Sequence, residues 1–303
     1  MSSQRRMLRV PGKPNVTGTA FGPQFIVAVE QFTEPRRRIV HDALARRMLP
    51  PATRLAIAAC AWNVVRNQIV TWSERRFPGL WGSLLCRKRY GDDQYVEARS
   101  RGIGHVVLLG AGLDDRAYRG LTTPPPQTFE LDLPDNSEYK RRRLVSIFSR
   151  VPPHARLIAV DFESADLSTC LGANGFRDDL PSLFIWEAVT QYLTETAVRR
   201  TLTALSRSAA GSRLIFTYVR RDFLDGTNLY QLPAVYTQFV GKQRLWHFGL
   251  DPSEVNALLQ EYGWAEREQV GATEYRQRYL EPLGRQLGVT DVERFVLAER
   301  TSA

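Results

Sequence analysis

Two glycines and five acids stand where a chain could handle a charged small molecule. The segment Gly110-Ala111-Gly112-Leu113-Asp114-Asp115 follows the short apolar run HVVLL. Asp132 comes twenty residues after Gly112 and ends a second run, QTFELDL. Asp161 ends a third run, ARLIAVDF, and Glu187 ends a fourth, SLFIWEAV. A glycine turn lets backbone approach a ligand with no Cβ in the way. An acid twenty residues later stands where it can accept both hydroxyls of a ribose. A further acid after the third run can receive an adenine amino group.

Charge narrows the ligand. A pyrophosphate site wants a third glycine and bare N–H groups at a helix start. Here Asp114 and Asp115 occupy that place. Two carboxylates repel a pyrophosphate and suit a cofactor with positive charge and no phosphate. S-adenosylmethionine, with its sulfonium and ammonium, fits. A nucleotide, or a fold without a cofactor, stays open on these residues alone. Each acid also has a plain structural role, Asp114 as a helix N-cap and Asp161 as a turn residue at a strand end.

The elements that must position these residues are short buried strands alternating with helices. The four runs above, with SRLIFTYV at 212–219, are separated by the helical patterns NSEYKRRRLVSIFSR and TETAVRRTLTALSRSA. This order predicts an α/β fold, a Rossmann-like parallel sheet with helices on both faces. In such a sheet ligands bind outside the carboxyl ends of the strands. The first hundred residues read as helical instead, over 19–48 with a break at Pro35, over 52–76, and over the stretch SLLCRKRYGDDQYVEARSRG. Residues 1–17 read as a mobile leader, 18–100 as a helical N-terminal cap, and 101–303 as the cofactor-binding domain. The aromatic segment at about 220–250 reads as a lid. DPSEVNALLQEYG predicts a helix from Asp251, with Pro252 at its first position and Gly263 as its stop. VERFVLAER supplies closing antiparallel strands.

Composition excludes several classes. The 303 residues carry a formal charge of +9, and the basic residues cluster at 36–38, 87–89 and 140–143. The plain reading of the last cluster is a solvated helix face. Neither a Gly/Arg repeat nor aromatic-basic interleaving is present, so basicity alone is weak evidence for a nucleic-acid partner. Three cysteines and four scattered histidines form no disulfide framework and no metal constellation. No run of eighteen apolar residues exists, so no membrane partner is expected. The polar N-terminus has no apolar signal core, and cytoplasmic residence is the expectation.

The quoted motifs, LLGAGLDDRAYR, ELDLPDNSEYKRR, VDF and WEAVTQYLTE in this order, resemble those of the leucine carboxyl methyltransferase family. The likeness is to its bacterial branch, which includes carboxyl and hydroxyl methyltransferases of small natural products. It extends upstream to HDALARRML and LLCRKRYGDD and downstream to FTYVRRDFLDG and the FGLDP helix. The resemblance implies a class I S-adenosylmethionine-dependent O-methyltransferase. It implies that Arg87, with Arg89 beside it, holds the methionine carboxylate. Gly110 and Gly112 pack on the cofactor, Asp132 takes the ribose, Asp161 and Phe162 frame the adenine, and Glu187 lies by the methionine part. Three positions depart from the family: Asp115 where threonine is usual, Ala188 where glycine is usual, and Gly91 where a large apolar residue is usual.

Methyl transfer from a sulfonium asks the protein mainly to align nucleophile, methyl and sulfur. A carboxylate acceptor needs cations or hydroxyls to hold it, and Arg89, Tyr192 and an arginine of the 220–250 segment are candidates. A hydroxyl acceptor gains from a base, and His247 is the one histidine of the lid. Both Tyr192 and His247 have plain packing roles as alternatives. The expected partner is a small-molecule acceptor, with oligomeric state open. Three rivals stand beside this reading: transfer of the cofactor's 3-amino-3-carboxypropyl arm, RNA methylation, and a binding module without turnover.

Overall fold

The computed structural model describes residues 20–301. The leader expected at 1–17 lies outside the described residues. The helical N-terminal region comprises α1 (Phe21–Glu30), α2 (Ala45–Met48), α3 (Pro51–Ala58), α4 (Asn63–Arg76) and α5 (Leu80–Ser100). Two helices predicted from the sequence are broken. After α1 the chain makes only a single tight turn at Pro35–Arg37, then runs irregularly to α2. Side chains satisfy that backbone: Glu30 accepts from the Ile39 N–H, and Asp42 accepts from the N–H groups of Leu44 and Ala45. The helix expected over 52–76 breaks at Trp62, whose extended backbone (φ −79°, ψ 122°) separates α3 from α4.

The sheet follows. Its strands are β1 (His105–Leu109), β2 (Gln127–Asp132), β3 (Ala155–Ala159), β4 (Ser182–Trp186), β5 (Arg213–Arg220), β6 (Gly249–Leu250), β7 (Trp264–Val270) and β8 (Glu293–Arg300). Their order is β3-β2-β1-β4-β5-β8-β7, with the two-residue β6 paired to the end of β5. The first five strands run parallel, and β8 runs antiparallel to both β5 and β7. The Rossmann-like expectation therefore holds, with VERFVLAER as the closing antiparallel strand. The chain proceeds outward from β1 to β3 on one side and from β4 to β5 on the other. The gap between β1 and β4 is the topological switch point, where such sheets bind ligands.

Alternation along the strands builds two cores. Val106, Leu108, Leu183, Ile185, Ile215, Phe295 and Leu297 face the N-terminal helices. Val107, Leu109, Phe129, Leu131, Phe184, Trp186 and Phe216 face the other way. That second face is covered by α7 (Leu167–Ala173), α8 (Glu195–Leu205) and α11 (Val255–Gln260), while α6 (Pro134–Phe148) crosses from β2 to β3. Burying each such side chain stabilises the fold by about 1.5–3 kcal/mol. The N-terminal helices thus share one continuous core with the sheet. The helix predicted from Asp251 begins as a tight turn, Pro252–Glu254, under a capping box formed by Asp251 and Glu254. The segment at 220–250 folds into α9 (Arg221–Leu224), α10 (Pro233–Val235), a wide helical turn over Tyr236–Lys242, and β6. Beyond β7, α12 (Ala272–Tyr275) returns the chain toward α5. No described helix is long and apolar enough to cross a membrane.

Candidate functional site

At the carboxyl ends of β1, β2 and β4 the structure gathers a dense set of charges. Its centre is Arg116, whose side chain is fully buried. The Arg116 guanidinium donates to Asp92 at 2.8 Å, to Glu187 at 2.8 Å, to the Lys88 carbonyl at 3.2 Å, and to Asp114. One residue thereby ties α5, the glycine turn and the end of β4 together. Arg119 binds Asp92 and stands 3.0 Å from Asp115. Arg87 donates to Glu187 at 3.0 Å and to Glu293 of β8 at 2.5 Å. Lys88 lies 3.5 Å from Asp114.

Burial alone would raise these carboxyls, but the cations outweigh it. Arg119 and Arg116 hold Asp92 below the usual carboxylate range. Arg116 and Lys88 do the same to Asp114, and Arg116 and Arg87 to Glu187. Asp42 is the exception. Burial and the neighbouring Asp115 push it up to about 8, so it keeps its proton at neutral pH. Around that neutral acid, five carboxylates (Asp92, Asp114, Asp115, Glu187 and Glu293) meet four cations (Arg87, Lys88, Arg116 and Arg119). Glu293 Oε1 is buried with no hydrogen-bond partner.

The glycine turn sits against this cluster. Gly110 has φ +74°, and a Cβ there would collide with Val189, whose Cγ1 would lie 3.2 Å away. At Gly112 the nearest atom to such a Cβ is Ala20 Cβ, at 3.4 Å. Asp132, at the end of β2, accepts from the Gly112 N–H, from the Leu133 N–H at 2.7 Å and from Asn136 at 2.6 Å. A carboxylate has about four acceptor sites, so Asp132 retains capacity for a hydroxyl. Asp161 lies two residues beyond β3 and forms the turn its plain reading predicts, accepting from the N–H groups of Glu163, Ser164 and Ala165. The adjacent Phe162 is buried in the second core with Leu167 and Leu171.

The other sequence candidates fall in two places. Tyr192 and His247 come together: the His247 N–H donates to the Gln191 carbonyl at 2.7 Å, and Tyr192 meets Trp246 edge-on at 6.4 Å. His247 itself is exposed. Arg89 is elsewhere. Two positions along α5 rotate a side chain by about 200°, and Arg89 points away from Arg87 to pair with Asp93. It lines a cavity of about 500 Å³ with Tyr90, Arg278 and Tyr279 on that other face. The aromatic residues of the 220–250 segment form a small core of their own. Phe239 stacks on Trp246 at 5.0 Å, and Phe223 packs on both Trp246 and Tyr236.

The structure also corrects the reading of charge. Lys140, read as solvated, is buried and lies 2.6 Å from Glu130. Arg87 and Lys88 are likewise buried. Arg116 was not among the sequence candidates. Its signal was Gly91: a Cβ there would lie 2.9 Å from Arg116 Cζ and closer still to Nη2. Gly91 leaves a notch on α5 that Arg116 fills. The other departures are absorbed in place. Asp115 is wholly buried against Arg119 and Gln24. Ala188 keeps a glycine-like φ of +59°, with its N–H bonded to Thr217 at 2.7 Å.

A model described as leucine carboxyl methyltransferase matches residues 20–206. A protein of Mycobacterium marinum named "Putative S-adenosyl-L-methionine-dependent methyltransferase" is 37% identical over 140 residues, 45% of this chain and 46% of that protein. A like-named protein of Mycolicibacterium gilvum is 32% identical over 193 residues, 60% of this chain and 62% of that one. The chain thus spans about half the length of most curated relatives it matches. Among solved structures, a methyltransferase titled as putative from Thermobifida fusca shares the fold with a TM-score of 0.55 at 15% identity, over 78% of this chain and 89% of that one. A DUF574 family protein from Streptomyces avermitilis does so at 0.54 and 12% identity, over 92% and 97%. The motif order, the strand order and the matched span lead to one assignment: the chain belongs to the leucine carboxyl methyltransferase family.

Proposed function

We propose that the chain is an S-adenosylmethionine-dependent O-methyltransferase acting on a carboxyl or hydroxyl group of a small secondary metabolite. The observation that carries the reading is the charge of the switch-point cluster. Among its paired carboxylates, Glu293 Oε1 is buried and unpartnered, which complements a ligand that carries a positive group. Such a ligand is a sulfonium with an ammonium and a carboxylate. Asp132 would hold the ribose, and Glu187 and Glu293 the ammonium. Arg87 would meet the carboxylate while shared with those two glutamates. When bound, the cofactor supplies a methyl group already activated by the positive sulfur.

The chain's own contribution is then placement. Arg116 fixes Glu187 against α5, so the methionine end of the site is set before ligand arrives. Such alignment can contribute on the order of 7–11 kcal/mol of a barrier. Tyr192 and His247, brought together beside Trp246, are the groups for the acceptor. His247 would take the proton of a hydroxyl acceptor, and Tyr192 would hold a carboxylate. Arg89, on the far face of α5, drops out of that role.

Transfer of the aminocarboxypropyl arm was raised by the departures at Asp115 and Ala188. Asp115 is spent on Arg119 and Gln24, and Ala188 preserves the glycine-like backbone. Neither leaves a reason to turn the cofactor. The test is cofactor labelled separately in the methyl and aminobutyryl carbons, with candidate phenols and carboxylic acids. Methyl label in product, with S-adenosylhomocysteine formed, is the expected result. Aminobutyryl label with methylthioadenosine released refutes methyl transfer and keeps the cofactor.

A further inference from the structure

A second concave site lies across α5 from the switch-point cluster. Arg87, Lys88, Gly91 and Asp92 form the stripe of α5 that serves the cluster. Arg89, Tyr90, Asp93 and Gln94 form the opposite stripe, about 200° round the helix. These last four line the cavity of about 500 Å³, together with Ile39 and with Arg278, Tyr279, Pro282 and Leu283 from the chain beyond α12. That volume is typical of a small-molecule site.

Two triads, each centred on an acid, hold its walls. Arg89 Nε donates to Asp93 at 2.8 Å, and Tyr279 donates to the other Asp93 oxygen at 3.0 Å. Tyr90 donates to Glu268 of β7 at 2.9 Å, and Arg278 donates to the other Glu268 oxygen. Both carboxylates are thus engaged at each oxygen, while the arginines keep donors to spare. Arg89 gives Nη1 to the Ile39 carbonyl at 3.3 Å, and Arg278 uses Nη2 alone. Among the described residues, Arg89 Nη2 and Arg278 Nε and Nη1 have no acceptor. Gln94 is a separate signal. It is 7% exposed, its Oε1 is buried without a partner, and its amide makes no hydrogen bond with any described residue. Leaving a buried polar group unpaired costs its full desolvation, and an amide, with donors and an acceptor, can be paired by a ligand from either side.

We propose that this cavity binds a small aromatic carboxylate, at a site separate from the switch point. The spare guanidinium nitrogens of Arg89 and Arg278 receive the carboxylate as charge-assisted hydrogen bonds. The ring packs among Tyr90, Tyr279, Ile39 and Leu283. A polar group on the ring pairs the Gln94 amide. A cationic ligand meets carboxylates already engaged by guanidinium and hydroxyl, and a purely apolar one leaves Gln94 unpaired. The inference is independent of methyl transfer.

The test is calorimetric titration of the full chain with indole-3-acetate, which carries a ring, a carboxylate and one N–H. Tryptamine, the same ring with an ammonium, is the charge control. Indole-3-acetate should bind at millimolar concentration or below, and tryptamine at least about tenfold more weakly. Gln94→Leu should weaken indole-3-acetate about tenfold through the lost hydrogen bond. Its urea midpoint should hold or rise, since an unpaired amide gives way to hydrocarbon. Arg278→Met should weaken indole-3-acetate at least about tenfold. Arg278 is exposed, so this variant decides the matter if Gln94→Leu does not fold. His247→Ala, in the proposed acceptor region, should leave the binding unchanged. No binding of indole-3-acetate, equal binding of tryptamine, indifference to the Gln94 and Arg278 variants, or a loss in His247→Ala would overturn the proposal.

Discussion

Gly91→Ala is the most informative single substitution. In an exposed helix the change stabilises by about 0.5–1 kcal/mol, because alanine loses less backbone entropy. At Gly91 the new Cβ would lie 2.9 Å from Arg116 Cζ and 3.4 Å from Glu187 Oε2. Arg116 has nowhere to go, since its side chain is fully buried and its guanidinium is bound on four sides. Relief requires loosening its bond to Glu187, and breaking a buried pair costs about 3–5 kcal/mol. The net expectation is a loss of about 2–4 kcal/mol against the propensity gain. Urea denaturation measures it, with Gly172→Ala as control. Gly172 lies in α7 with no atom within 4 Å of its Cβ position, so that variant should gain stability. Calorimetric titration with S-adenosylmethionine should also show weaker binding in Gly91→Ala, because Glu187 is displaced. If Gly91→Ala is as stable as wild type or more so, the notch reasoning is wrong and Arg116 is free to repack.

Asp132→Ala should weaken cofactor binding by roughly 1.5–3 kcal/mol, the worth of hydrogen bonds to a charged acceptor; unchanged affinity by calorimetry removes Asp132 from the site. Arg87→Lys should bind cofactor at least about tenfold more weakly, since an ammonium cannot bridge Glu187 and Glu293 as a guanidinium does; wild-type affinity would reduce Arg87 to a structural charge. Asp42, held near 8 when folded against about 4 unfolded, binds its proton only in the native state between those values, so its contribution to stability falls as pH rises through that window. Asp42→Asn should flatten that slope in thermal melts. It should leave the acid limb, where stability is lost as pH falls through the depressed values of Asp92, Asp114 and Glu187.

The sheet was legible because each strand is a short apolar run closed by a turn or an acid, and the strand ends fix where a ligand must bind. Five of the eight strands and two of the crossover helices, α6 and α8, follow from that pattern. The N-terminal helices were less legible. Helical periodicity runs through Trp62 and through 38–44, but Asp42 and Glu30 satisfy the irregular backbone by contacts nine or fewer residues away that no periodicity reports. Arg87 and Arg89 are neighbours in sequence, yet the helix sends them to opposite faces. Lys88, Lys140 and Arg116 look like surface charges in a basic chain. Only their partners, Asp114, Glu130 and Glu187, on other elements make them buried ones. Pairing over such separations is invisible to composition.

Buried ion pairs are weak reasons for stability, since desolvation offsets most of their attraction. A chain that gathers nine ionised or ionisable side chains at its switch point, and keeps an extra proton on Asp42 to do so, holds them for another reason. Apolar replacements would pack the same volume without the desolvation cost. The unpartnered oxygen points to that reason. A complete network would need no ligand, whereas this one leaves Glu293 Oε1 without a partner. The cationic ligand proposed above would finish it and stabilise the fold by mass action as it binds. The departures from the family pattern then read as a set. Gly91 admits Arg116, Asp115 engages Arg119, and the two arginines meet on Asp92.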